Sequence, residues 1–206
     1  MKRATRITSI DLELNQPSNK VISIGAVIGD IVTGEIIAEF HEYVKIDEPL
    51  CTDAKICDIP KLTGITEEIL ENEGITLIEA YEKLVEFHKQ SHYVNALTWG
   101  YNDCAQLRTD LERVGMQLHG GFHNPSKLPV FCFGRRHFDC KQRFQEQCML
   151  EGKTIQGGLK KALKRCGLTF NGQSHNALYD ALNTFVLYNY LLNEHIHGNI
   201  KGKKEA

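Results

Sequence analysis

Four acidic residues and one histidine, far apart along the chain, are the residue types that could do chemistry together. Asp11 and Glu13 lie in an early apolar run, Asp103 lies mid-chain, and His175 and Asp180 follow much later. Carboxylate oxygens are the ligands that hard cations such as Mg²⁺ prefer, and an unperturbed histidine titrates near neutral pH. If a fold brings these groups together, they have what a two-metal phosphodiester hydrolase needs.

The two N-terminal acids lie on a predicted strand. Side chains alternate across a strand, so Asp11 and Glu13 point to one face, about 7 Å apart along the chain. Among their apolar neighbours Ile10, Leu12 and Leu14, the two carboxylates would repel each other unless a cation lay between them. Taken alone, this spacing is also common on the exposed face of an edge strand.

The other acids lie where helices begin. Asp103 follows a strand and a glycine-containing turn, where an acid could also be a simple helix cap. His175 ends a polar turn, and Asp180 follows early in the next helix, where a loop histidine and a dipole-compensating acid are the ordinary alternative. Ala177 and Ala181 are small, so this helix can pack closely against a sheet that carries the other acids.

The elements that must position these residues follow from hydrophobic periodicity. The pattern predicts α/β architecture in one domain, with three antiparallel strands followed by alternating helix and strand, and with helices flanking the mixed sheet. The predicted strands are 5–14, 21–28, 35–44, 93–99 and either 130–133 or 136–140; the predicted helices include 77–90, 103–114, one ending near 149, 154–166 and 178–195. We assign 1–197 to the domain and 198–206 to a basic, disordered tail.

Composition excludes several classes of protein. A chain of 206 residues suits one domain, and a net charge of −2 argues against a non-specific DNA-coating protein. The chain has no apolar run of about 18 residues, so we expect no membrane span. The basic N-terminus is not followed by the apolar core of a signal peptide, so we expect a cytoplasmic protein. The seven cysteines include no C-x-x-C pair, which favours free thiols. An alternative Cys/His metal site would draw on residues whose spacing fits no usual zinc module: His119, His123, Cys132, His137 and Cys140.

Together these motifs resemble the DEDDh branch of the 3′–5′ exonucleases, in the ribonuclease H-like superfamily. Asp11-Leu12-Glu13 resembles the first motif of that family, and the segment around Asp103 resembles the second. The segment from His175 to Asp180 resembles the third. The segment 62–66, Leu-Thr-Gly-Ile-Thr, also resembles a stretch common in this superfamily, so the resemblance covers about 5–192. Within the superfamily, 99–103 and 158–175 look most like the histone-mRNA and siRNA 3′ exoribonuclease group.

The resemblance implies a metal-dependent hydrolase with two Mg²⁺ ions, for which Mn²⁺ can substitute. Asp11 would bridge both ions, and Glu13 and Asp180 would hold the ion nearer the attacking water. Asp103 would act mainly through water, and His175 would be the general base. All four acids are thus expected metal ligands, and all five residues are expected to be catalytic.

The same resemblance implies a substrate and a binding site. The expected substrate is the 3′ end of single-stranded RNA or DNA, released as nucleoside 5′-monophosphates, with Leu14, Gly64 and Ile65 contacting the terminal base and sugar. A homodimer is compatible with the resemblance, since some relatives are dimers. Two alternatives remain: a catalytically idle exonuclease-like module that binds nucleic acid or a partner, and a structural domain whose acids are coincidental.

Overall fold

The computed structural model describes residues 5–91, 95–118, 131–133 and 137–201, with the backbone alone for 194–201. The strands are β1 (Arg6–Leu14), β2 (Val21–Asp30), β3 (Ile36–Tyr43), β4 (Leu97–Thr98) and β5 (Phe138–Asp139). The helices are α1 (Ile59–Thr63), α2 (Glu67–Glu73), α3 (Leu77–His88), α4 (Asn102–Arg113), α5 (Cys140–Leu150), α6 (Leu159–Arg165) and α7 (Ala177–Lys201).

The five strands form one mixed sheet in the order β3-β2-β1-β4-β5. The first three strands are an antiparallel meander, whereas β4 runs parallel to β1 and β5 runs parallel to β4. The predicted α/β class and sheet type are therefore confirmed. Strand β1 is hydrogen-bonded on both sides, and the parallel strands bring the chain that follows β1, β4 and β5 to one edge of the sheet.

One face of the sheet is covered by the last helix. Every second residue of β1 from Ile7 onward pairs with a residue of β2 that lies under α7. Asp11, for example, pairs with Gly25. Phe185 of α7 is fully buried against this face and belongs to a cluster with Ile7 and Val27. Helices α5 and α6 contribute Phe144 and Leu163 to the same layer, so this layer holds the C-terminal third of the chain against the N-terminal strands.

The opposite face is covered by the middle of the chain. Ile10 and Leu12 of β1 pack with residues of α3 and α4, which repeat at helical spacing. Helix α3 begins with a capping box between Thr76 and Glu79, which satisfies backbone N–H groups at the helix start. The predicted helices in this region are confirmed, with α3 ending at His88 rather than residue 90.

The predicted start of the helix near Thr154 was wrong. Helix α6 begins at Leu159, because Gly157 has a φ of 138° and Gly158 is extended, which keeps the preceding residues out of the helix. Thr154 accepts a hydrogen bond from Arg165 of α6 instead, 2.8 Å to its hydroxyl. The predicted stop at Gly167 is confirmed, since this residue adopts a φ of 72° just after the helix.

The remaining differences concern element length. The fourth strand is only Leu97–Thr98, and part of the segment predicted for it, 93–94, lies outside the described residues. The fifth strand falls within the second predicted range, 136–140. Helix α7 ends at Lys201, beyond the predicted domain boundary at 197, which stays a prediction. Among the described residues, no helix combines the length and apolarity needed to cross a membrane.

Candidate active site

Strand β1 presents the first two acids on the face that α7 covers. Alternation along the strand buries Leu12 on the opposite face, where it is 7 % exposed, and leaves Asp11 and Glu13 together on the other. Glu13 is only 9 % exposed, at a β-bulge that follows it. A pair of carboxylates on a central strand, with Glu13 buried and Asp11 half-buried, matches the predicted arrangement and removes the alternative of an exposed edge strand.

Helix α7 reaches this face because β2 has no side chain at Gly25. A Cβ atom on Gly25 would lie 2.0 Å from the backbone carbon of Ala177 and 2.1 Å from the nitrogen of Leu178. Asp11 is the β1 partner of Gly25 in the sheet, so the first turn of α7 begins next to Asp11. The backbone N–H of Tyr179 donates to the Asn176 side chain, which caps the helix at this point.

The loop before α7 places His175 at the mouth of the site. His175 has a φ of 61°, a left-handed conformation that histidine tolerates better than most residues. Its backbone N–H donates to the Asp180 carboxylate over 3.2 Å, and its side chain is exposed. The loop is held from behind by Asn183 of α7, which exchanges hydrogen bonds of 2.9 and 2.8 Å with the backbone of Asn171.

Three of the predicted acids converge. One carboxylate oxygen each from Asp11, Glu13 and Asp180 lies within 4.8 Å of the other two. Among the described residues, no hydrogen-bond donor or cation pairs with the side chains of Asp11 and Glu13, although buried carboxylates are normally paired. The three acids offer only oxygen ligands, and of the three only Asp180 has a described partner, the backbone N–H of His175. The set therefore fits a hard divalent cation.

The electrostatics of the cluster favour the same conclusion. Burial raises the pKa of Asp11 well above its usual range, and the carboxylates of Asp103, Asp180 and Glu13 raise it further. Burial, assisted by Asp180 and Asp103, raises the pKa of Glu13 to about 8. Burial also raises the pKa of Asp180, while the backbone N–H of His175 opposes the change. Without a cation, these groups gain protons to relieve their repulsion.

Asp103 lies in the first turn of α4, the helix that follows β4, and this places it near the acids of β1. It is not one of the three acids that lie within 4.8 Å of one another, but its charge acts on both Asp11 and Glu13. Burial raises its pKa to about 7, and Asp139 and Asp180 add to the rise. Asp139 was missed by sequence reasoning. Its side chain caps α5, and an acid before a helix carries no other local signal.

The predicted substrate-binding residues lie in two places. Leu14 is half-buried at the end of β1, and Gly64 is exposed, ending α1 with a φ of 80°. Gln173, in the loop of His175, donates a 3.4 Å hydrogen bond to the carbonyl of Thr63. The Thr63–Gly64 turn therefore adjoins motif III. Ile65 is 4 % exposed in a cluster with Ile22, Leu50, Ile59 and Leu70, so its side chain supports the turn from below.

The alternative Cys/His site gains no support from its described members. Cys140 is buried and its thiol faces the carbonyl of Thr184, whereas the ring of His137 packs against Tyr101. Cys132 lies near Tyr81, and burial raises the pKa of its thiol to about 12. His119 and His123 lie outside the described residues. The free thiols predicted from the sequence are found at Cys51, Cys57, Cys104, Cys132, Cys140 and Cys148.

Comparison with known proteins agrees with this geometry. The model of the RNase_T family, described as exonuclease, matches residues 8–188. The nuclease domain of 3′hExo, a DEDDh family member bound to rAMP, superposes with a TM-score of 0.72 at 20 % identity, covering 94 % of each chain. S. pombe Pop2p in its Mg²⁺- and Mn²⁺-bound form gives a TM-score of 0.63 at 16 % identity, covering 93 % of this chain and 84 % of that one.

A full-length 3′-exonuclease is similar with a TM-score of 0.73 at 20 % identity. The match covers 94 % of this chain and 62 % of that protein, so this chain spans less than two thirds of its length. No curated protein sequence matches the chain. These likenesses establish the fold, and the family match runs from within β1 to within α7.

Proposed function

The chain belongs to the RNase_T exonuclease family, and on this basis we propose that it is a metal-dependent 3′–5′ exonuclease of the DEDDh type. It hydrolyses phosphodiester bonds at the 3′ ends of single-stranded RNA or DNA and releases nucleoside 5′-monophosphates. Its working metal is Mg²⁺, bound as two ions, and Mn²⁺ can replace it. The likeness to Pop2p in a Mg²⁺- and Mn²⁺-bound form supports this choice of metal.

One observation carries the proposal: the convergence of Asp11, Glu13 and Asp180, with ligand atoms within 4.8 Å of one another. The first two acids come from the central strand and the third from the last helix. Their pKa values are all raised by burial, and two of the three side chains have no described partner for their charge. A bound divalent cation would offset the repulsion within such a group and replace the protons that it otherwise takes up.

The metal ions, when bound, activate the attacking water and neutralise charge on the leaving oxygen. The chain contributes the rest. Asp11, Glu13, Asp103 and Asp180 hold the ions, and the exposed His175 removes the proton from the attacking water as the general base. The hydrogen bond from the His175 backbone to Asp180 fixes the base to the same helix turn that supplies a ligand, so base and ligand keep one spacing.

The terminal nucleoside binds between the end of β1 and the Thr63–Gly64 turn. In this proposal Leu14 and the backbone of Gly64 contact the terminal base and sugar, and Ile65 holds the turn in place. Gln173 joins this turn to the His175 loop, which supports a single continuous substrate site. The exposed cations of α6, Lys160, Lys161 and Lys164, offer an additional path for phosphates. The protein acts in the cytoplasm, and a homodimer is compatible with this site.

The test is digestion of 5′-labelled single-stranded RNA and DNA of the same sequence, with Mg²⁺ or Mn²⁺. We expect a ladder that shortens from the 3′ end, absent for Asp11→Ala and strongly slowed for His175→Ala. Glu86→Gln is the matched control, because Glu86 is an exposed acid on α3 with 71 % of its side chain accessible. The relative rates on the two substrates establish the preferred sugar.

Three outcomes would contradict the proposal. Products that shorten from the 5′ end would refute the polarity. Absence of cleavage under both metals, with oligonucleotide binding retained, would make the protein a catalytically idle binding module. Asp11→Ala with unchanged Mg²⁺ binding by calorimetry would mean that the acids have a structural role only.

A further inference from the structure

Tyr101 and His137 form an aromatic pair close in the chain to Asp103 and Asp139, with Tyr101 exposed and His137 half-buried. Tyr101 precedes α4 and is 73 % exposed, the most exposed aromatic side chain among the described residues. Its ring packs edge-on against the ring of His137, with centroids 5.3 Å apart and planes at 61°. A tyrosine ring normally buries its apolar surface, so this exposure calls for a reason.

The backbone below Tyr101 is held in place. Gly100 has a φ of 101°, which favours glycine, and its carbonyl accepts a 2.6 Å hydrogen bond from the Thr98 hydroxyl. Trp99, on the inner side of the same turn, packs near Phe144 with ring centroids 6.2 Å apart. The turn therefore buries its tryptophan and presents its tyrosine outward.

Both rings are close in sequence to acids that act on the site. Tyr101 is two residues before Asp103, and His137 is two residues before Asp139, which raises the pKa of Asp103 by its charge. Lys141, exposed on the first turn of α5, reaches the same place: its Cδ lies 3.8 Å from the position of a Cβ on Gly100. An aromatic pair and a lysine thus flank the two acids at the ends of β4 and β5.

The sheet order places this pair opposite the terminal-nucleoside site. Tyr101 follows β4, and His137 directly precedes β5. Both strands lie on the same side of β1. The Thr63–Gly64 turn supports a cluster that packs against Ile22 and Tyr43 of β2 and β3, on the other side of β1. A strand whose reacting phosphate lies over Asp11 therefore has its terminal nucleoside on one side and the next nucleoside on the other.

We propose that Tyr101 and His137 form a stacking platform for the base next to the 3′-terminal nucleotide, with Lys141 beside the adjoining phosphate. The proposal deepens the proposed exonuclease function and rests on it. Aromatic side chains recognise single-stranded nucleic acid in this way because every base offers a π-face, so the platform accepts any sequence. It would favour single strands, since a paired base cannot stack on the ring.

The test compares two substrates. For a single-stranded oligonucleotide we expect Tyr101→Ala to raise KM about 10-fold, on the scale of one lost base-stacking contact, while Tyr101→Phe stays near the wild type. For the p-nitrophenyl ester of a nucleoside 5′-monophosphate, which has no second base, Tyr101→Ala should leave both kcat and KM unchanged. Val32→Ala, a truncation of a residue 69 % exposed in the β2–β3 turn, is the surface control.

A spectroscopic measurement separates stacking from indirect effects. An oligonucleotide with 2-aminopurine next to its 3′ end, bound in Ca²⁺, should lose fluorescence on the wild type and recover it on Tyr101→Ala. Equal KM values for wild type and Tyr101→Ala on the oligonucleotide, or equal 2-aminopurine fluorescence when bound to the two proteins, would refute the proposed stacking platform. If the wild type cleaves neither substrate, the exonuclease proposal fails, and the fluorescence of the bound strand decides the platform by itself.

Discussion

Replacing Gly25 by alanine tests whether the contact between β2 and α7 sets the geometry of the acids. The new Cβ would lie 2.0 Å from the Ala177 backbone, whereas ordinary contact begins at 3.4 Å, so the two backbones must separate by about 1.4 Å. The obstacle is the backbone of a helix start, which no rotamer change can remove. Because Asp180 lies in that first turn, the separation moves it away from Asp11 and Glu13.

The expected loss follows from the size of the cluster. A shift of about 1.4 Å is large against ligand atoms that lie within 4.8 Å of one another. A misplacement of about 1 Å can cost 10²-fold in rate, so we expect kcat for Gly25→Ala to fall roughly 10²-fold and Mg²⁺ affinity to fall with it. Overpacking of this kind typically costs about 1–3 kcal/mol of stability, so the variant should still fold.

Gly29→Ala is the matched control. Gly29 lies on the same strand and faces the same helix, but its Cβ would meet the ring of Phe185, at 2.2 Å, rather than backbone. We expect a similar loss of stability with Mg²⁺ affinity and kcat close to wild type. Calorimetric Mg²⁺ titration, turnover and thermal unfolding are measured on both variants. If folded Gly25→Ala binds Mg²⁺ and turns over like the wild type, the contact does not position Asp180.

Three further predictions concern the same site. His175→Ala should lower kcat by about 10²–10⁴-fold with Mg²⁺ affinity unchanged, as measured by turnover and calorimetry; a matching loss of metal binding would mean that the loop itself had collapsed. Burial raises the pKa of Glu13 from 4.5 to about 8, so the folded metal-free protein holds a proton that the unfolded chain releases. Its melting temperature should therefore fall as pH rises through that range, and Glu13→Gln should flatten this part of the profile. Asn183→Ala removes two part-buried hydrogen bonds to the backbone of Asn171, so urea unfolding should show a loss of about 1–3 kcal/mol, the net worth of two such bonds; an unchanged midpoint would contradict a role for Asn183 in holding the loop.

The parts that sequence predicted well are those with local causes. Alternation along β1 fixed the face of Asp11 and Glu13, because the two side chains share a face of any strand. Small residues at Ala177 and Ala181 indicated close packing of α7, and both are fully buried. The family match from 8 to 188 confirms the exonuclease resemblance that these motifs carried.

The parts that sequence missed depend on partners far away in the chain. Gly25 looks like an ordinary strand glycine until α7 is seen above it, 152 positions later at Ala177. Gln173 reads as one more polar loop residue, although it joins the His175 loop to Thr63. The error at Thr154 had a different cause: a threonine before a helical pattern is a common cap, but the two glycines that follow delay the helix.

The docking of α7 over Gly25 also sets the order in which the site can come into existence during translation. Domains tend to fold from the N-terminus as the nascent chain emerges, and the meander of β1, β2 and β3 is complete by residue 43. Asp180 is supplied only by the last helix. A nascent chain from which α7 has not yet emerged therefore carries Asp11 and Glu13 without their third ligand, and in our proposal it is inactive. Emergence and docking of α7 is the step that completes the site.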